Sequence, residues 1–177
     1  MILMTPIVRE ATQSDIEQLA PLFVHSLDTS VPGVKFSDDP YYALSAVRDI
    51  LRARLFPPKA RKTYVLESHT GELLAYATVK PDGRPNKDAD EIDHFFVRAG
   101  ESGKGYGGRL MEVIQDEFGE RGLSLIVFQK NEGAKRFYEK WGFQVEEDWK
   151  ETLNLGLSQG PIEEAVYYMR WSRTSLP

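Results

Sequence analysis

Apolar positions along the chain change period repeatedly, and each change marks an element. Residues 7–10, Ile-Val-Arg-Glu, read as a short opening strand. Ile16, Leu19, Ala20, Phe23 and Val24 then recur at helical spacing behind a capping-box signature, Thr12 with Asp15. Residues 26–39 carry Pro32-Gly33 among small and polar side chains, which predicts a loop. Asp39-Pro40 suits an N-cap followed by proline in the first turn. The helix after it would bury Leu44, Val47, Leu51 and Leu55 before Pro57-Pro58 stops it. Residues 63–67 and 73–79 flank His69-Thr70-Gly71-Glu72, a hairpin signal, and the polar stretch 81–90 predicts an exposed connection.

A strand at 91–97 follows, then a helix whose stripe is Tyr106, Leu110, Val113, Ile114 and Phe118. Residues 123–128 are almost entirely apolar, as expected of a strand covered on both faces. Ala134, Phe137, Tyr138 and Trp141 line one side of a helix over 131–141. Residues 144–153 and 163–171 read as a closing hairpin, with a frayed tail after it. The order β-α-α-β-β-β-α-β-α-β-β predicts an α/β or α+β domain with a mixed sheet. No repeat or linker divides the chain, so residues 1–177 read as one domain.

Composition narrows the chemistry. Without cysteine there is no disulfide framework, thiolate metal site or cysteine nucleophile. His25, His69 and His94 lack ligand spacing for a metal. The apolar start Met-Ile-Leu-Met stops at Thr5-Pro6, too short for a signal peptide, and no apolar run approaches membrane length. A cytoplasmic protein without membrane contact is the expectation. A net charge of −5 argues against general nucleic-acid affinity.

The stretch 91–143 holds the candidate chemistry. Ser102-Gly103-Lys104-Gly105-Tyr106-Gly107-Gly108 lies between a strand and a helix, where bare N–H groups and the helix start favour a phosphate chain. Gly103, Gly105 and Gly108 match the dinucleotide fingerprint literally, but four strands precede the loop. The position about 20 residues on is Phe128-Gln129 and not an acid. A Walker loop fails because Gly105, not serine or threonine, follows Lys104. The plainer alternative is a surface turn, which needs neither four glycines nor a lysine.

From Glu91 to Phe143 the chain resembles the acetyl-CoA-binding core of the GNAT superfamily of acyl-CoA N-acyltransferases. Residues 102–107 occupy its Gln/Arg-x-x-Gly-x-Gly/Ala loop, and Asn131, Ala134, Phe137, Tyr138, Gly142 and Phe143 fill its pattern N-x-x-A-x-x-F-Y-x-x-x-G-F. Ser102 departs from the usual glutamine or arginine, which implies weaker anchoring there. The resemblance implies a mixed, mostly antiparallel central sheet of six to seven strands flanked by about four helices. It also implies that the sheet splays between the strands ending at Val97 and Phe128 to admit the pantetheine arm. Acetyl-CoA would then lie against Phe95, Phe96 and Val97, against Ser102, Gly103, Lys104, Gly105, Tyr106, Gly107 and Gly108, and against Asn131, Ala134, Phe137 and Tyr138.

Chemistry would follow from few groups. An aliphatic ammonium with pKa ~10.4 must lose a proton before attack, so a base is needed. Glu91 holds the position of the family's glutamate, and strand alternation puts Glu91, Asp93 and Phe95 on one face, with Ile92, His94 and Phe96 opposite. Asp93 is the second candidate, and a bulge would change the facing of either. Tyr138 resembles the family's general acid for the leaving thiolate. Each has a bland counterpart: a core tyrosine, an Asn131 N-cap, a solvated Glu91, a packed His94. The basic run Arg48, Arg52, Arg54, Lys59, Arg61 and Lys62 reads as a solvated face. Phe36, Tyr41, Tyr42, Tyr76, Trp149, Tyr167 and Tyr168 suggest an aromatic or apolar portion in the acceptor. The expected partner is a small-molecule or peptide amine, and the family frequently forms homodimers. The rival readings are a catalytically silent acyl-CoA-binding module and, last, a nicotinamide-dependent oxidoreductase.

Overall fold

The computed structural model describes residues 5–57, 60–84, 87–146 and 151–173. In chain order the elements are β1 (Ile7–Glu10), α1 (Ile16–Ser30), α2 (Leu44–Leu55), β2 (Lys62–Glu67), β3 (Leu73–Lys80) and β4 (Asp90–Val97). Then come α3 (Tyr106–Phe118), β5 (Leu123–Phe128), α4 (Glu132–Lys140), β6 (Gln144–Val145), β7 (Glu151–Leu157) and β8 (Gly160–Trp171). One sheet runs β1-β2-β3-β4-β5-β8-β6, with β7 also on β8. Every pairing is antiparallel except β4 with β5. Eight strands replace the six to seven expected because the predicted strand 144–153 is divided into β6 and β7. Residues 147–150 lie outside the described residues.

Local chemistry sets the helix ends. The Thr12 N–H donates to Asp15 at 2.7 Å, and Arg9 grips the same carboxylate through both terminal nitrogens at 2.8 Å. Helix α1 continues to Ser30, through part of the predicted loop. Its last turn tolerates the buried Ser30 hydroxyl because that group donates back to the Ser26 carbonyl at 2.9 Å, as the exposed Thr29 does at 2.8 Å. After Asp39-Pro40 the chain makes one 3-10 turn, and α2 starts only at Leu44. Asp39 caps that turn, accepting from the Tyr41 N–H at 2.8 Å.

Each sheet face carries its own core. Helices α3 and α4 cover one, with Leu110, Met111, Ile114, Leu125 and Phe143 buried; α1 and α2 cover the other, with Leu19, Leu51, Leu55, Val65 and Tyr76. No helix among the described residues is long and apolar enough to cross a membrane. Leu110 is fully buried and Ile7 is 57% exposed. Leu110→Ala is therefore expected to cost about 2–5 kcal/mol in urea unfolding, and Ile7→Ala less than about 0.5 kcal/mol.

Candidate active site

Strands β4 and β5 pair only at Asp90↔Leu123 and Glu91↔Ser124, and then separate. Meanwhile β4 stays paired to β3 as far as Val97. One extra residue in β4 accounts for the divergence. Val79 faces Ile92 and Thr78 faces His94, which leaves Asp93 as a bulge, and a bulge bends its strand and sharpens the twist. The bulge also overturns the simple alternation expected of this strand. Ile92 joins Phe95 and Val97 on the α3–α4 face, whereas Phe96 packs beside Phe23 and Tyr76 on the α1–α2 face. His94 shares that second face, stacked on Phe23 with ring centroids 5.2 Å apart.

Backbone polarity follows from the same register. The Arg98 N–H donates to Leu74 of β3 at 2.8 Å, so alternation turns the N–H groups of Phe95 and Val97 to the opposite edge. No strand of the described residues meets them there, whereas the backbone of Phe96 pairs with Tyr76.

Beyond β4, Gly103 and Gly105 both have φ of 82°, a left-handed conformation that only glycine adopts cheaply. None of the N–H groups from Ser102 to Gly108 donates to another described residue. The first return bond is Arg109 N–H to the Gly105 carbonyl at 3.1 Å. Such a run of bare amides at a helix start is an anion cradle. The other glycines serve packing: an added Cβ would stand 3.3 Å from the Phe137 ring at Gly107 and 3.0 Å from Trp141 at Gly108. Lys104 reaches back to Glu101 at 2.9 Å.

Helix α4 supplies the wall on this side. Asn131 caps it by accepting from the Ala134 N–H at 3.1 Å, which leaves the carboxamide NH₂ unspent among the described residues. Phe137 lies against Phe95 at 5.4 Å, and Tyr138 meets Phe95 edge-on at 6.0 Å. The Tyr138 ring is buried, and its hydroxyl makes no hydrogen bond to any described residue. Burial alone raises its pKa well above the ordinary phenol value.

The opposite face at the apex is highly charged. Glu91 is 2% exposed and accepts from the Arg84 backbone N–H and from Arg84 Nη2, both at 3.0 Å, with Lys80 Nζ at 3.1 Å. Gly83 makes this closure possible, since a Cβ there would stand 2.7 Å from both Glu91 and Ser124. Asp93 faces Arg54 Nη2 at 3.2 Å and Lys80 at 3.4 Å, and also binds Arg61. Burial would raise both carboxyl pKa values, but the facing cations win and hold both below the usual range. His94 takes Tyr76 Oη at 2.9 Å on Nδ1, and burial pulls its pKa down to about 4. At the open end, Asp39 accepts from the Ser158 N–H and hydroxyl at 2.6 and 2.7 Å. This clasp ties the α1–α2 connection, which belongs to the β4 lip, to the β7–β8 turn on the β5 lip.

Glu91 and Asp93 thus sit together on the α1–α2 face of the sheet, and the glycine loop, Asn131, Phe137 and Tyr138 on the α3–α4 face. Arg54 and Arg61 leave the expected solvated face to bind Asp93, whereas Arg48, Arg52 and Lys62 pair with Glu17, Asp49 and Glu117. Lys59 and Trp149 lie outside the described residues. Tyr167 belongs to the α4 side, with Lys135 over its ring at 5.6 Å, and Phe36 and Tyr76 are fully buried. Sequence reasoning missed Lys80, Gly83 and Arg84. The usable signal was that two acids opening a buried strand require counter-cations from the flanking connection. No grouping of three or more metal-ligating side chains occurs among the described residues.

A sheet opened between parallel strands, with a bare-amide loop on one lip, can take an extended, diphosphate-bearing ligand as an extra strand. The family model described as the acetyltransferase (GNAT) family matches residues 24–143, and the chain belongs to that family. It is an acetyl-CoA-dependent acyltransferase. Solved structures share the fold. Ribosomal-protein-alanine N-acetyltransferase from Brucella melitensis gives a TM-score of 0.69 at 17% identity, covering 94% of this chain and 99% of that one. Spermidine N-acetyltransferase from Vibrio cholerae, solved with CoA and spermine, gives 0.67 at 16% identity, covering 97% of each chain. An acetyltransferase from Thermus thermophilus gives 0.66 at 21% identity, covering 97% of this chain and 100% of that one. No curated protein sequence matches the chain.

His94 offers a test of the charged face. Its folded pKa of about 4 lies below the ordinary 6.5, so its contribution is full above pH 6.5 and is lost as pH falls toward 4. Urea midpoints measured across that window should fall in the native protein, and the fall should lose about one proton of slope in His94→Gln.

Proposed function

We propose that the chain transfers an acetyl group directly from acetyl-CoA to a primary amine of a small molecule or peptide. The observation that carries this is the unpaired length of β4 and β5, which leaves amides bare along the β4 edge and in the loop beyond it, with buried acids at the apex on the α1–α2 face. The residues present suit the cofactor. Amides from Gly103 to Gly108 would hold its diphosphate, those of Phe95 and Val97 its extended arm, and the Asn131 carboxamide a polar group along it. Bound there, acetyl-CoA supplies an acyl group already activated as a thioester. The names of the Vibrio cholerae and Brucella melitensis proteins describe N-acetylation, which supports the same reaction class here.

Tyr138 is the proposed proton donor to the leaving sulfur. Burial keeps its Oη protonated throughout the neutral range and also makes it a reluctant acid, so donation coincides with thiolate charge. Glu91 at the apex is the proposed proton acceptor, with Asp93 beside it. Both are weak bases, because cations already hold them ionised. A weak base suffices where the field of Arg54, Arg61, Lys80 and Arg84 disfavours the ammonium form of a bound amine.

Two measurements test this reading. Tyr138→Phe should retain CoA affinity in calorimetry while turnover, read by thiol release, falls about 10²-fold or more. Unchanged turnover would remove the donor role, and a native protein that binds acetyl-CoA without turning over any amine would be an acyl-CoA binder only. The pH profile of kcat reports groups in the complex, so it should level off below the free amine's ~10.4. A plateau reached only at the free amine's own value would contradict activation by the cations.

A further inference from the structure

Among the described residues, the charges at the apex do not balance. Arg54 from the end of α2, Arg61 ahead of β2, Lys80 at the end of β3 and Arg84 beyond it converge on two buried acids, Glu91 and Asp93. Glu151 comes no closer than 3.9 Å to Arg84, and His94, the other titratable group against Asp93, is held neutral by burial. One cation each would neutralise the acids, yet Asp93 alone faces three. Gathering like charges beyond neutrality costs free energy unless a further anion completes the set.

Exposure shows where that anion would dock. The side chains of Arg54 and Arg84 are 45% and 43% exposed, while those of Asp93 and Glu91 are 6% and 2% exposed. The solvent side of the cluster therefore presents donors and conceals acceptors. Neither guanidinium is fully used. Arg54 meets Asp93 through Nη2 alone, at 3.2 and 3.4 Å, which leaves Nη1 and Nε unspent among the described residues. Among the described residues, Arg84 Nη1 has only Glu151, at 3.9 Å. A guanidinium fork with two free N–H directions matches a carboxylate or phosphate.

We infer that the acceptor amine carries an anionic group, a carboxylate or phosphate, which docks on Arg54 and Arg84 beside the apex. The substrate class is then acidic amines such as amino acids, and polyamines are repelled by the cations that attract the acid. This rests on the acetyl transfer proposed above.

Matched amines, assayed by thiol release from acetyl-CoA with the full chain, test it: β-alanine against β-alaninamide, phosphoethanolamine against ethanolamine, and spermidine alone. The acidic member of at least one pair should show a kcat/KM about tenfold or more above its neutral mate and above spermidine, and the two pairs separate carboxylate from phosphate. The double variant Arg54→Gln/Arg84→Gln should bring that ratio toward one, whereas Arg84→Lys should keep part of it. Calorimetric CoA affinity, measured on each variant, reports an intact fold. A preference for the neutral mates or spermidine overturns the inference alone, as does a ratio that survives in the double variant. Refusal of every amine by a protein that binds acetyl-CoA overturns the inference together with the proposed transfer.

Discussion

The site depends on one interruption of hydrogen bonding: β4 and β5 start as neighbours and stop pairing after Glu91 and Ser124. A continuous ladder would satisfy the Phe95 and Val97 amides within the sheet and leave nothing for a cofactor. The sheet instead behaves as two half-sheets hinged at the apex, β1 to β4 on one side and β5, β8, β6 and β7 on the other. Aromatic packing of α4 on Phe95 fills one face of the opening, and the Asp39–Ser158 clasp spans its far end. Backbone groups left unpaired near the core are costly, so the opening is stable only if something polar completes it. A bound thioester arm lying as an extra strand would do so.

The residue that opens the sheet also organises its charges. Asp93 is the bulged position, so its carboxylate emerges next to that of Glu91 on the α1–α2 face, where strict alternation would also have placed Phe95. Two buried acids side by side would repel and take up protons. Cations from four separate segments prevent this, and in doing so make the apex a region of positive potential. Bending, charge and the proposed amine activation are therefore linked through one backbone irregularity.

Much of this was legible from residue pattern. The strand 123–128, the helix from Tyr106 to Phe118 and the α4 pattern stand where periodicity put them, because long apolar repeats dominate local structure. The glycine loop was visible as a group, although two different needs hide in it: left-handed backbone at Gly103 and Gly105, close helix contact at Gly107 and Gly108. The bulge was not legible as a position, since an extra residue leaves no compositional mark and shows only in cross-strand register. Lys80 and Arg84 were missed for a related reason. Polar residues in a connection look solvated until a glycine such as Gly83 lets the connection fold over a buried acid.

As proposed, the gap between β4 and β5 is a binding surface and not an accident of twist. Amide hydrogen exchange resolved by residue, with and without CoA, measures this directly. In free protein the Phe95 and Val97 amides should exchange far faster than those of His94 and Phe96, which face β3, and CoA should slow them together with Gly103 to Gly108. Equal protection along β4 without ligand, or CoA-dependent protection confined to other segments, would show that the gap is not where CoA binds.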